Sequence, residues 1–301
     1  WCINLGSVVN LLDKSSVETN YLSVDKYIGE EIFKDLDEEF LNQLLIYSIL
    51  DTISAETCRI FSDDLKKTEI FLKRLKKSSI PMYEISQQKE FRLHPLVKEA
   101  AQKYLHVKFD SDQINELYKR SADYYKEENN IVQAVESLLV IENYQEVIDI
   151  IDKKWNDIVQ LNYPGYLKKW FSQIPKSYHD SPLFIKSKSN YLILIGDNKE
   201  MLDYLSDKIV YADYPKGDDI LSSLWCNYNW ALINSSDEPR YKTVLKSFNE
   251  LIEQAGPFDD ISMAIFENLL SVAAHLQLDY QKALEHLDKC LKLMPEEYIN
   301  N

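Results

Sequence analysis

Glycine is scarce in this chain. The six that occur, at positions 6, 29, 165, 196, 217 and 256, never fall at a phosphate-cradling spacing, so no nucleotide loop is present. Cysteine is sparse too: Cys2, Cys58, Cys226 and Cys290 are scattered, with no Cys-x-x-Cys spacing. That argues against a disulfide framework and a thiolate metal site, and it suits a reducing cytoplasm, the expected location. The histidines at 106, 179, 275 and 286 stand too far apart for a metal site. No apolar run reaches the roughly 18 residues a membrane helix requires, so no membrane partner is expected. Positive charge is short as well. Thirty-four Lys and Arg face 49 Asp and Glu, and the resulting −15 opposes unassisted binding to nucleic acid or an anionic membrane. There is no Gly-x-Ser-x-Gly elbow, and the carboxylates are spread so evenly that no acid–base pair stands out. The chain is therefore expected not to be an enzyme and to hold no cofactor.

What is present is mostly helical periodicity. Helix patterns run over 24–36, 38–50, 54–61 (capped by Ser54), 65–77, 94–108 (Pro95 in its first turn), 111–128, 131–141, 144–161 and 164–171. Pairs follow at 182–195 with 199–211, 219–233 with 241–255, and 259–276 with 280–293, joined by short connections that favour stacking of neighbours. One stretch departs from this. Residues 81–85 and 91–94 are short alternating apolar runs joined by Ser86-Gln87-Gln88-Lys89-Glu90, which predicts a β-hairpin. Three helices and then a hairpin is the winged helix-turn-helix order.

The last two pairs repeat. Tyr241, Val244, Phe248, Leu251 and Ile252 reappear 39 residues later as Tyr280, Ala283, Leu287, Cys290 and Leu291. The run from Tyr280 to Leu287, closing on Pro295, is similar to the second helix of a tetratricopeptide repeat. The expected fold class is therefore mainly α: a winged-helix module with one β-hairpin, followed by an α-helical tetratricopeptide-like superhelix. The expected domains are 1–20, the tail of a preceding domain and a linker; 21–109, the winged-helix module; 110–180, a helical arm; and 181–301, the repeats. With its start at Trp1, the chain is expected to be a piece of a longer polypeptide.

Several stretches together resemble the MalT-like large LuxR-type transcriptional regulators of the signal-transduction ATPase family. They are Ile46 to Asp51 with Ser54 to Cys58, then Phe91-Arg92-Leu93-His94-Pro95-Leu96, with Leu93 in place of the family's second aromatic. Ala122 to Tyr125, Ala134 and Trp155 follow, then Leu167 to Trp170, Ile174-Pro175 and Ser181-Pro182, all in order between about 24 and 210. The resemblance implies a central sensor region between an ATPase and a DNA-binding domain, both outside this chain, responding to a small-molecule inducer or a protein partner, with self-association. It also implies that the winged helix packs against the ATPase rather than on DNA, with Arg92 and His94 as candidate interdomain residues.

The residues themselves offer bland alternatives. His94 can cap the helix that begins at Pro95 while Arg92 pairs with a carboxylate. Lys73, Arg74 and Lys77, beside Lys66, Lys67 and Lys76, stand where a recognition helix would, with Leu65, Leu72 and Leu75 turned inward. They can equally form a solvated face with Asp63, Asp64 and Glu69, and the hairpin loop adds only Lys89, so direct nucleic-acid binding is the disfavoured reading. In a tetratricopeptide-like array the first helix of each pair lines a groove. The candidate groove residues are Lys186, Asn190, Asn229, Asn268 and His275, with Asn229 and Asn268 equivalent at a spacing of 39. Trp225, Tyr228 and Trp230 are expected to pack between helices. A plain tetratricopeptide-type protein-interaction scaffold is the alternative function.

Overall fold

The computed structural model describes residues 32–85, 90–160, 164–210, 213–235 and 241–295. The expectations for residues 1–20, for most of the helix over 24–36 and for the hairpin loop with Lys89 lie outside them. The chain divides into two compact units, Trp1–Asn143 and Tyr144–Asn301. The division between Asn143 and Tyr144 splits the arm expected over 110–180.

In the first unit, α1 (Glu38–Tyr47) starts at Asp37, whose carboxylate accepts from the Phe40 N–H at 3.0 Å. It buries Phe40, Leu44, Leu45 and Tyr47. The helix stops three residues before the expected Leu50: the Ile49 and Leu50 N–H groups turn back to Ile46 O and Tyr47 O in a tightened last turn, and the carbonyls beyond the helix go to other elements. Gln102 Nε2 donates to Ser48 O at 3.2 Å and Lys98 Nζ to Leu50 O at 2.8 Å. Ser54 exchanges hydrogen bonds with Thr57, but only a 3-10 turn follows, Thr57–Ile60, whose N-cap is Glu56 and not the expected Ser54. The segment is held on both sides, by Ile53 pairing with Phe91 and by Asp64 capping the next helix, which leaves room for one turn.

That next helix, α2 (Leu65–Lys77), has the predicted bounds but a different inner face. Thr68, Phe71 and Leu75 are buried, while Leu65 at the first position is 47% exposed and Leu72 half-buried. The hairpin follows as β1 (Met82–Glu84) and β2 (Phe91–Leu93), antiparallel with Tyr83 opposite Arg92. Ile53 adds a further rung: its N–H donates to Phe91 O at 2.7 Å, and its carbonyl accepts from the Phe91 N–H at 2.9 Å. Three helices complete the unit: α3 (Pro95–Lys108), α4 (Ser111–Glu127), opened by an Asp110–Gln113 capping box, and α5 (Ile131–Val140). One core joins α1 to α4, the 3-10 turn and the hairpin, centred on Leu44, Phe71, Leu75, Ala100 and Leu105. The Cys58 thiol lies in it and burial pushes its pKa up to about 12.

The second unit is helical throughout its described residues: α6 (Tyr144–Lys153), α7 (Trp155–Gln160), α8 (Pro164–Gln173), α9 (Pro182–Ile195), α10 (Asn198–Leu205), α11 (Asp219–Asn234), α12 (Tyr241–Ala255), α13 (Asp260–Leu276) and α14 (Tyr280–Leu293). The pattern read as one helix over 144–161 is broken by a turn at Lys154. Asp197, Asp218, Asp259 and Asp279 cap α10, α11, α13 and α14. Gly196 closes α9 in the left-handed region at φ 72°. At Gly217 a Cβ would lie 2.5 Å from Pro257 O, so only glycine lets this loop reach the end of α12. The first helices of the pairs, α9, α11 and α13, stand side by side, and α13 packs against both α12 and α14. The 39-residue offset holds in the packing: Val244 and Leu251 are buried on α12, and so are Ala283 and Cys290 on α14. No helix among the described residues is long and apolar enough to cross a membrane.

Candidate functional site

The hairpin signature is used for bracing. Phe91 and Leu93 point inward, 2% and 4% exposed, while Arg92 between them donates to Asp51 Oδ2 at 2.6 Å. His94 Nδ1 accepts from the Leu96 N–H at 3.3 Å, starting α3, and its ring lies 5.9 Å from that of Tyr83. The Asp51 N–H donates to the Tyr125 hydroxyl at 3.0 Å. The loop after α1 is thus held by β2, α3 and α4 together, and Arg92 and His94 both have partners within their own unit. Burial depresses the Lys98 ammonium, which remains hydrogen-bonded to Leu50 O.

The basic helix is only partly free. Arg74 forms an ion pair with Asp37 and sits 4.5 Å above the Phe40 ring, so one of the three DNA candidates is occupied by packing. Its hydrogen bond is the main cause holding the Asp37 carboxyl below its usual range. Lys73 meets Glu69 at 3.9 Å with both side chains well exposed, and Lys76 pairs with Glu84 on β1 at 3.0 Å. Lys77 is exposed.

In the second unit a pocket lies between the first helices of the pairs, with Asn268 the one candidate groove residue in its lining. Ile193 of α9, Cys226, Asn227 and Trp230 of α11, and Ile265, Asn268, Leu269 and Val272 of α13 line a pocket of about 220 Å³. Asn227 Nδ2 donates to Asn190 Oδ1 at 2.7 Å and to Ser189 Oγ at 2.9 Å, which makes an amide pair between the two helices. Asn268 is exposed within the pocket, and Trp230, read as packing, is 41% exposed on its wall.

Asn229 corrects the sequence alignment. It is fully buried, its amide donating to Trp225 O at 2.9 Å while Oδ1 has no partner. The helical period turns position 229 toward the core and position 227 toward the groove, and a bare 39-residue offset does not register that. Lys186 also lies outside the lining, half-buried and paired with Asp152 at 2.8 Å. His275 is exposed at the end of α13, its ring 5.5 Å from Tyr280. Because the Asn229 oxygen is desolvated without compensation, Asn229→Leu is expected to leave stability unchanged or raise it by up to about 1 kcal/mol. A urea titration followed by circular dichroism measures this. Trp225 does pack between helices, with its ring 5.0 Å from Phe266 and its indole N–H donating to Ser247 Oγ at 2.8 Å.

A polar chain was missed in the sequence. Glu267 on α13, His286 on α14 and Tyr241 on α12 are 6%, 7% and 7% exposed. His286 Nδ1 lies 2.6 Å from Glu267 Oε2, and its Nε2 lies 2.8 Å from the Tyr241 hydroxyl. A carboxylate has no proton to give, so Nδ1 carries the hydrogen there and the ring is fixed between two helices. Burial raises the Tyr241 phenol above its usual range. The three stand 45, 26 and 19 residues apart in the chain, a spacing that has no local signature. The three side chains are buried from solvent. The polar chain therefore reads as a structural link.

The Cys226 thiol on the groove wall is pushed up to about 12 by burial, and Cys58 behaves alike. Both are expected to resist a thiol reagent at pH 8 in the folded chain and to react after denaturation, because the thiolate is the reactive species. Counting labelled thiols by mass spectrometry in the two states checks this.

Compared with known proteins, residues 29–113 match the family model described as the MalT winged helix domain. That span contains α1, the 3-10 turn, α2, the hairpin and α3, and ends in the first turn of α4. No curated protein and no solved structure gives a significant match to the chain. Residues 29–113 are thus similar to the winged helix domain of MalT, a module of a regulator and not a catalytic one.

Proposed function

We propose that this chain is the regulatory and sensing part of a MalT-like, LuxR-type transcriptional regulator, in which the second unit binds an inducer or a partner protein. The observation that carries the reading is the MalT winged helix match over 29–113, followed in the same chain by a helical unit with a lined groove. Coupling would run to an ATPase and a DNA-binding domain outside these residues. A ligand that prefers one arrangement of the intact protein shifts its population by its differential affinity, which is all that signalling requires.

The groove suits a ligand with an apolar face and a few hydrogen-bonding groups. Ile193, Ile265 and the Trp230 ring supply the former, and Asn227 and Asn268 the latter. A thermal-shift screen of the full chain against small metabolites and short peptides tests the reading, since whatever binds the folded state must raise its stability. A stabilising compound whose effect is lost in Trp230→Ala and Asn268→Ala supports it. One whose effect survives both substitutions places the ligand elsewhere.

The tetratricopeptide-type scaffold is the second reading, favoured by the 39-residue recurrence of buried positions on α12 and α14. It calls for peptides, and not small metabolites, to give the shift.

A further inference from the structure

The pocket between α9, α11 and α13 selects its ligand by what its lining lacks. None of the described residues around it carries a charge: Ile193, Ile265, Leu269 and Val272 are aliphatic, Trp230 is aromatic, and Asn227 and Asn268 are neutral amides. Cys226 is the one titratable group in the lining, and burial keeps it an uncharged thiol at neutral pH. An ionised ligand group placed here would lose its water and find no counter-charge. The buried part of the ligand is therefore neutral.

The amides narrow the class further. Ser189 Oγ donates to Lys186 O at 2.8 Å, so toward Asn227 it can only accept. That fixes the Asn227 amide. Its Nδ2 gives both hydrogens, to Ser189 Oγ and Asn190 Oδ1, and its Oδ1 is left as an acceptor with no donor among the described residues. Asn268 has no hydrogen bond among the described residues and offers both a donor and an acceptor. A ligand that answers these atoms presents an N–H beside a C=O, the pattern of a secondary amide. A sugar ring presents more hydroxyls than two amides can serve, and the rest would lie unpaired against the aliphatic side chains.

Size and setting decide between a free amide and a chain. A cavity of about 150 Å³ holds a benzene-sized guest, so this pocket of about 220 Å³ holds one aliphatic side chain with the peptide unit attached to it. The apolar face continues past the pocket at both ends. Ile261, Ile265 and Leu276 on α13 are 40%, 46% and 58% exposed. With Asn268 and Val272 they follow one another at four, three, four and four residues along one side of the helix.

We propose that this groove binds an extended, uncharged peptide segment of a partner, seating one leucine-sized side chain in the pocket and pairing its flanking backbone amide with Asn227 and Asn268. The assignment rests on the reading that the groove is where the second unit takes its ligand.

The probe is a set of capped heptapeptide pools, each with Leu, Lys, Asp or Gly fixed at the centre and uncharged residues elsewhere. The pools are passed over the immobilised full chain and the retained peptides counted by mass spectrometry. The Leu-centred pool is expected to be retained roughly tenfold over the others, since a charge finds no partner in the pocket and glycine leaves it empty. Asn268→Asp, an isosteric change at an exposed position, is expected to turn the preference toward the Lys-centred pool, which a merely structural asparagine would not do. Ile265→Glu is expected to act alike, and both variants should keep the circular dichroism of the parent chain. Equal retention of the pools, retention of none, or a Leu preference that survives both substitutions overturns the inference. So does N-acetyl-leucine methylamide displacing the retained peptides at equal concentration, which would make the ligand a free amide. A charged or sugar-like compound whose thermal shift is lost in Trp230→Ala and Asn268→Ala keeps the groove as the site and overturns this assignment of its ligand alone.

Discussion

Replacing His286 by alanine is expected to cost the second unit about 3 kcal/mol or more, the scale for stripping a buried carboxylate of its partner. The Glu267 side chain is 8% exposed, and the His286 ring is its close partner at 2.6 Å; Lys289 stands at 3.9 Å, mostly in solvent. With the ring gone, the Tyr241 hydroxyl also loses the acceptor it has at 2.8 Å. Tyr241→Phe removes that hydroxyl bond while leaving the ring in place, and is expected to cost about 1 kcal/mol. Urea unfolding of the single and double variants separates the terms. A strong coupling between positions 267 and 286 is the expected outcome, because neighbours in one network do not add. The physical content is that α12, α13 and α14 are joined by one buried polar link as well as by apolar packing.

The second large effect lies in the hairpin. Phe91→Ala is expected to destabilise the first unit by about 3–5 kcal/mol, the range for emptying a buried phenylalanine site. Phe91 is 2% exposed and its backbone is bonded both to β1 and to Ile53. The neighbouring Arg92→Ala is expected to cost less than about 1 kcal/mol. Its ion pair with Asp51 is half exposed, and solvent screens it. The contrast between adjacent residues, read by chemical denaturation, is the test. A hairpin that served only as an exposed wing would tolerate both changes.

Much of the fold was legible because local chemistry dictates it. Asp64, His94 and the Asp110–Gln113 pair cap helices near where the sequence puts them, and the alternation of residues 81–94 gives the hairpin. Periodicity failed where tertiary contacts override it. The α1 helix stops at Tyr47, and the carbonyls just past it, Ser48 O and Leu50 O, are taken by Gln102 and Lys98 some fifty residues away. Residues 54–61 keep one turn because both ends are anchored.

The candidate site was half legible. Asn268 lines the pocket and the Asn190 amide accepts from Asn227 on its wall. Asn227 and Trp230 were hidden because a repeat offset fixes equivalent positions only when both helices keep the same rotation, and Asn229 shows that they do not. The Glu267–His286–Tyr241 link was invisible because its members come from three helices.

On the proposed reading the winged-helix module braces a regulatory chain and does not itself read DNA. The most direct measurement titrates the full chain into a labelled random-sequence DNA duplex at low salt and repeats it at higher salt. The account predicts no saturable binding: Arg74 is held by Asp37 and Phe40, and the chain carries −15. An affinity that falls steeply with salt and disappears in Lys73→Ala plus Lys77→Ala would contradict it.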